Sequence, residues 1–249
     1  MSLKPDHSLI TDPMFLFAVV IFAFLTTLLP FILGASLLLP ILQTLFLTFL
    51  LLMVVRKQHP AQAIRILCIW TIVQLVIATL LSAIFPGQAE LAIADGFSRR
   101  TAFLEWLYAG SALPDGILTT PVGRIVEIIG ITVGTLLSAG VLGVWLLVRT
   151  INLASFYAGS TINSVGSFAG LLVGIPIWTM LRIVAYIGFV SIFAEPMSTG
   201  NWAIGHYLSN PNSSTRKQFL LGAVILLVLS LASEIALSGL WRSIFTPSV

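Results

Sequence analysis

The chain has 249 residues, 58% of them hydrophobic and only 8% charged, with a mean hydropathy of +1.06, whereas a soluble domain carries roughly 25% charged residues. This composition excludes a water-soluble fold and leaves no stretch polar enough for a separate soluble domain, so residues 1–249 are expected to form a single membrane domain. The net charge of +3 comes from twelve scattered Lys and Arg that never run beyond two, which gives no support to a nucleic-acid partner.

A membrane-crossing helix needs roughly 20 mostly apolar residues to span ~30 Å of hydrocarbon at 1.5 Å per residue. Met1 to Pro13 carries Lys4, Asp6, His7 and Asp12, and no small-residue cleavage site follows the first apolar run. That run is expected to be a retained span and not a signal peptide. Span one covers about 14–31 and span two about 35–55, joined around Pro30 and Gly34 without a charge, as in a tight hairpin. Arg56, Lys57, His59 and Pro60 then break the apolar pattern. Span three follows over 61–85.

Residues 86–124 form the most polar connection, with Glu90, Asp95, Arg99, Arg100, Glu105 and Asp115 interleaved with Phe97, Phe103, Trp106 and Tyr108. Part of it reads as an interfacial amphipathic helix. Span four is expected over about 125–148, ending at Arg149. The stretch Ile151 to Ala194 is too long for one ordinary span and slightly short for two. Gly174, Ile175 and Pro176 divide it, because the residue before a proline is pushed out of helical geometry. A broken or re-entrant helix is predicted there, with a span over 167–194. The last span, 219–240, follows a polar loop holding His206, Asn210, Pro211, Arg216 and Lys217.

The expected fold is therefore an all-α polytopic bundle of six transmembrane helices, or seven, plus one interfacial helix. The positive-inside rule barely separates the two counts. Six spans put Lys4, Arg56, Lys57, Arg65, Arg149 and Arg242 on the N-terminal side; seven move Arg216 and Lys217 there and Arg242 away. Six is preferred because Tyr157, Ser160, Thr161, Asn163, Ser164 and Ser167 would make the extra crossing unusually polar.

A charge in hydrocarbon costs several kcal/mol unless paired or hydrated. Three intramembrane candidates follow: Glu127, Arg182 and Glu234. Glu127 falls near a helix start and reads as interfacial. Arg182 lies about twelve residues before the polar loop near Glu195 and Glu234 about fifteen residues into the helix after it, depths of ~18 and ~22 Å. The two depths are measured from one connection, so an Arg182–Glu234 ion pair between antiparallel neighbours is predicted. Trp178, Arg182, Tyr186 and Phe189 share one helical stripe, and Ser230, Glu234 and Ser238 another. The pair reads either as a device that fixes helix register or as a site that grips an anion through the planar guanidinium.

Gly130 and Gly134, and then Gly166, Gly170 and Gly174, repeat a four-residue spacing that permits close helix packing within the bundle or against a partner subunit. Ala158 to Gly170 resembles the discontinuous helices of transporter sites. Cys68 is the only cysteine and reads as a packing residue. All three histidines, His7, His59 and His206, fall in connections, so neither a haem nor any other cofactor or metal site is expected. No hydrolase elbow, zincin pair, Walker loop or kinase signature is present.

These readings favour a non-enzymatic subunit or assembly component of a larger membrane complex, with membrane lipid and other integral membrane subunits as partners. The alternative is a small transporter or permease subunit in which Arg182 and Glu234 bind an anionic or lipid-like ligand. An enzyme acting on a lipid substrate through Glu105 or Asp115 is a third reading. The compact, sequon-poor chain suggests a bacterial inner membrane or a related energy-transducing one. No family is assigned from the sequence.

Overall fold

The structure, a computed structural model, describes residues 13–55, 60–166, 169–198 and 213–245. Among them the chain is 88% helical and contains no strand. Six helices are long and apolar enough to cross a membrane: α1 (Pro13–Leu33), α2 (Leu38–Val55), α3 (Pro60–Ile84), α8 (Val141–Val165), α10 (Ile177–Ser198) and α11 (Ser213–Phe245). The protein is thus a multi-pass integral membrane protein. His7, His59, His206, Lys4, Arg56 and Lys57 lie outside the described residues.

Shorter helices fill the connections. Prolines open α4 (Pro86–Ala92) and α6 (Pro121–Ile129), where the missing N–H is not needed. Between them α5 (Gly96–Leu104) runs on into a π turn over Glu105–Ala109. Gly110, with φ +76°, ends that turn and starts an irregular loop over 110–120.

The expected span at 125–148 is divided. Beyond α6 come a π turn (Gly130–Gly134) and a short α7 (Thr135–Leu137). Ala139 and Gly140 then take left-handed conformations, φ 52° and 100°, which reverse the chain into α8. The Ser138 hydroxyl accepts the N–H of Leu142 and caps the new helix. Arg149 is consequently inside α8 and not at a helix end. Of the polar residues weighed as an extra crossing, Tyr157, Ser160 and Thr161 are buried in the second half of the same helix, Asn163 and Ser164 near its end are exposed, and Ser167 lies outside the described residues.

Gly166, with φ +67°, closes α8. The region before Arg182 is broken at the predicted point: α9 (Ala169–Gly174) is separated from α10 at Ile175 and Pro176. Glu195, expected to begin a polar loop, instead lies within α10.

Helix α8 is the most deeply buried of the six and packs on α2, α3, α9 and α10, while α11 is the least buried and packs chiefly on α10. Leu47, Leu51, Leu67, Trp70, Leu147, Ile151 and Val190 fill the core between these helices. Lipid gives helices little hydrophobic reason to associate, so small residues and polar contacts set the packing. A Cβ at Gly174 would lie 2.2 Å from the Cα of Ala158, one at Gly170 2.6 Å from the backbone of Thr161, and one at Gly159 2.4 Å from Ser82. Gly130 and Gly134 face Leu146 and Leu142 of α8. Gly130, Gly134, Gly170 and Gly174 thus pack against the chain's own helices, whereas Gly166, expected on the same face, has no atom among the described residues within 4 Å of where a Cβ would stand and serves to end α8.

A buried chain of amides threads the core. The Trp70 indole donates to Gln74 (2.8 Å), Gln74 to Asn152 (2.7 Å), Asn152 to Gln43 (2.7 Å) and Gln43 to the Thr27 hydroxyl (2.9 Å). Trp can only donate, so its contact fixes the orientation of every amide after it. Four crossing helices, α1, α2, α3 and α8, are tied together in this way.

Candidate functional site

The structure brings Arg182 and Glu234 together. They form an ion pair between α10 and α11, with side chains only 5% and 3% exposed. One helical turn away, the Ser230 hydroxyl donates to the carbonyl of Trp178 (2.6 Å), and the Trp178 ring packs edge-on against Trp241. Tyr186 is fully buried with its hydroxyl beside Glu127. Ser238 lies further along α11, in the wall of a neighbouring cavity with Gly239 and Arg242. A second buried pair, Glu195 with Arg216, joins α10 to α11 nearer their connection.

The ion pair is part of a larger polar site. A cavity of about 230 Å³ opens where α6, α8, α10 and α11 meet the 110–120 loop. Its walls carry three guanidinium groups, Arg124, Arg149 and Arg182, and three carboxylates, Asp115, Glu127 and Glu234. Gly174 and Pro176, at the break between α9 and α10, also line it. The interruptions predicted from the sequence therefore border the cavity.

One ion pair and two hydrogen bonds hold this wall. Arg124, 8% exposed, pairs with Glu127 one turn along α6 and donates to the backbone carbonyl of Asp115. Glu127 also accepts a hydrogen bond from the Thr150 hydroxyl (3.1 Å) of α8. It faces the cavity and is only 13% exposed, which replaces the interfacial position expected of it. Its proximity to a helix start is real: α6 opens on exposed Pro121, Val122 and Gly123 and turns Arg124 and Glu127 inward.

The 110–120 loop folds inward and is pinned from both sides. Glu234 accepts the N–H of Ile117 (2.6 Å) with its second oxygen. Asp115 adopts a left-handed backbone, φ 56°, which Asp tolerates better than most residues. Its carboxylate accepts from Arg99 (2.6 Å) and from the Tyr157 hydroxyl (3.3 Å). Burial opposes the charge on Arg99, but the facing Asp115 and Tyr157 outweigh it and hold the guanidinium pKa above its ordinary value. Glu105, the other carboxylate weighed in the polar connection, is exposed and does not line this cavity.

Arg149 stands apart. It projects from the interior of α8, is accessible, and makes no ion pair or hydrogen bond among the described residues. Two buried donors on its neighbours also lack partners, the Nε–H groups of Arg124 and Arg182. The site thus holds one guanidinium without an ion pair beside two paired ones, an arrangement that suits an anion.

Sequence reasoning located Arg182, Glu234 and the break at Pro176, and it missed Arg124, Arg149, Thr150 and Tyr157 as cavity residues. One signal was available: no proline or glycine interrupts the sequence from Val144 to Tyr157, so Arg149 could be read as helix interior. No family model matches the chain, and no curated protein or solved structure is similar to it.

Proposed function

We propose that this chain is a small transporter or permease subunit that takes an anionic or lipid-like ligand into the polar cavity between its helices. The observation that carries this reading is the cavity itself, which reaches the buried Arg182–Glu234 pair and is lined by six ionisable side chains. A pair that served only as a register device would need no such cavity. Interrupted helices bordering a polar site, here at Gly174–Pro176, are a recurrent construction in transporters. Intramembrane ionisable residues facing a cavity mark ligand or ion pathways.

The expectation of a scaffold subunit drew on the glycine faces, and four of those five glycines, all but Gly166, pack within the chain. They lend that reading less weight than the cavity lends to ligand binding. A bacterial inner membrane or related energy-transducing membrane remains our proposed location.

Water access tests the proposal. In a Cys68→Ser background, single cysteines at Ala154 and Thr179, both in the cavity wall, are expected to react with a water-soluble thiol reagent added to the reconstituted protein. A cysteine at Ala185, fully buried in the core, should stay unreactive. Cavity cysteines as inert as the core control would sink the ligand-site reading.

A further inference from the structure

We infer that the ligand is an anionic amphiphile, that Arg149 takes the negative charge of its head, and that a second, adjoining cavity takes its apolar part. This inference rests on the ligand-site reading and names the chemistry of the occupant.

Charge balance gives the first part. Around the polar cavity Arg124 pairs with Glu127, Arg182 with Glu234, and Asp115 with Arg99. Arg149 remains without an ion pair among the described residues. It sits about 12 Å along α8 from Val141, at 1.5 Å per residue. A cation at such depth is costly unless something compensates it. An oxyanion would do so, and the guanidinium groups of Arg124 and Arg182 line the same wall.

A neighbouring cavity gives the second part. Arg149 and Leu153 line the polar cavity and also another, of about 270 Å³, between the start of α2, the α4–α5 connection and α8. Leu37, Leu39, Pro40, Ile93 and Trp145 make much of that second wall apolar, and Asp95, Arg99 and Asn152 supply its polar part. Arg149 therefore stands at the junction between a polar space rich in guanidinium donors and a largely apolar one. A carboxylate or phosphate monoester on a hydrocarbon chain matches both halves, whereas a free inorganic anion uses only one.

Equilibrium binding to the full chain in phosphatidylcholine nanodiscs separates the possibilities. The probes are a fluorescent long-chain fatty acid, its methyl ester, a long-chain alkyl phosphate and inorganic phosphate. The acid and the alkyl phosphate are expected to bind saturably, and the ester about tenfold more weakly or worse, as loss of a charge-assisted contact implies. Arg149→Gln should weaken the acid by a similar factor and leave the ester unchanged, and Arg149→Lys should recover part of the loss. Ile93→Trp, which fills the apolar cavity, should weaken the acid and spare inorganic phosphate.

Equal binding of acid and ester, or acid binding indifferent to Arg149→Gln, overturns the assignment of the head group. Inorganic phosphate binding as tightly as the alkyl phosphate overturns the amphiphile and leaves a small free anion. Binding of none of the probes overturns the inference as a whole. In each case cysteine labelling of the cavity decides the underlying ligand-site reading independently.

Discussion

Removing one partner of a buried ion pair strands the other charge where nothing can solvate it, a loss of roughly 3–5 kcal/mol. Arg182→Ala should therefore destabilise the protein by about that amount, read as thermal or denaturant unfolding in mild detergent. The double variant Arg182→Met with Glu234→Gln removes both charges and keeps an acceptor for the Ile117 N–H, so it should recover most of the loss. A double variant as unstable as Arg182→Ala would mean that the charge pair itself is indispensable. These two residues were legible because both depths could be measured from one loop by helical rise alone. Arg124 and Glu127 were harder to place. Their pairing is local, one turn apart on α6, but their burial depends on the 110–120 loop folding inward under contacts from Glu234 and Arg99, which are distant in sequence.

At the scale of elements, the amide chain from Trp70 to Thr27 does for four helices what the ionic pair does for two. Asn152→Leu leaves both Gln43 and Gln74 short of a partner in the core. A single interhelical hydrogen bond in a membrane protein is worth only ~0.6 kcal/mol on average, but two stranded buried amides should cost about 2 kcal/mol together. Thr27→Val, at the end of the chain, strands only one amide donor and should cost less. Thermal unfolding of the two variants ranks them, and equal effects would show that the chain is not continuous. The apolar helices α1, α2, α3 and α11 were readable from hydropathy because lipid imposes a length and an apolar surface on each. The boundary at Ser138–Gly140 was not. A turn flanked by Leu137 and Val141 carries no charge or proline, and only the left-handed backbone at Ala139 and Gly140 reveals it.

At the scale of the molecule, three of the six crossing helices, α8, α10 and α11, border a polar site together with α6 and the 110–120 loop, so its walls come from both halves of the sequence. The outward faces of α1, α3 and α11, with Phe17, Leu25, Ile72, Val76, Leu221 and Val228 exposed, suit a hydrocarbon surround. The interior gathers charges that hydrocarbon would reject. Composition alone predicted the membrane class, because so few charged residues exclude a soluble surface. The cavity escaped sequence reading because its charges are spread over separated segments: Asp115, Arg124 and Glu127 in the loop and α6, Arg149 in α8, Arg182 in α10 and Glu234 in α11. The most direct test of the central claim is mass spectrometry of the protein extracted in mild detergent from its native membrane, scored for small molecules and for proteins retained in stoichiometric amount. The account predicts a stoichiometric acidic amphiphile on the wild-type chain and its loss from Arg149→Gln. A fixed set of protein subunits with no acidic small molecule bound would contradict it and return the chain to the role of a complex component.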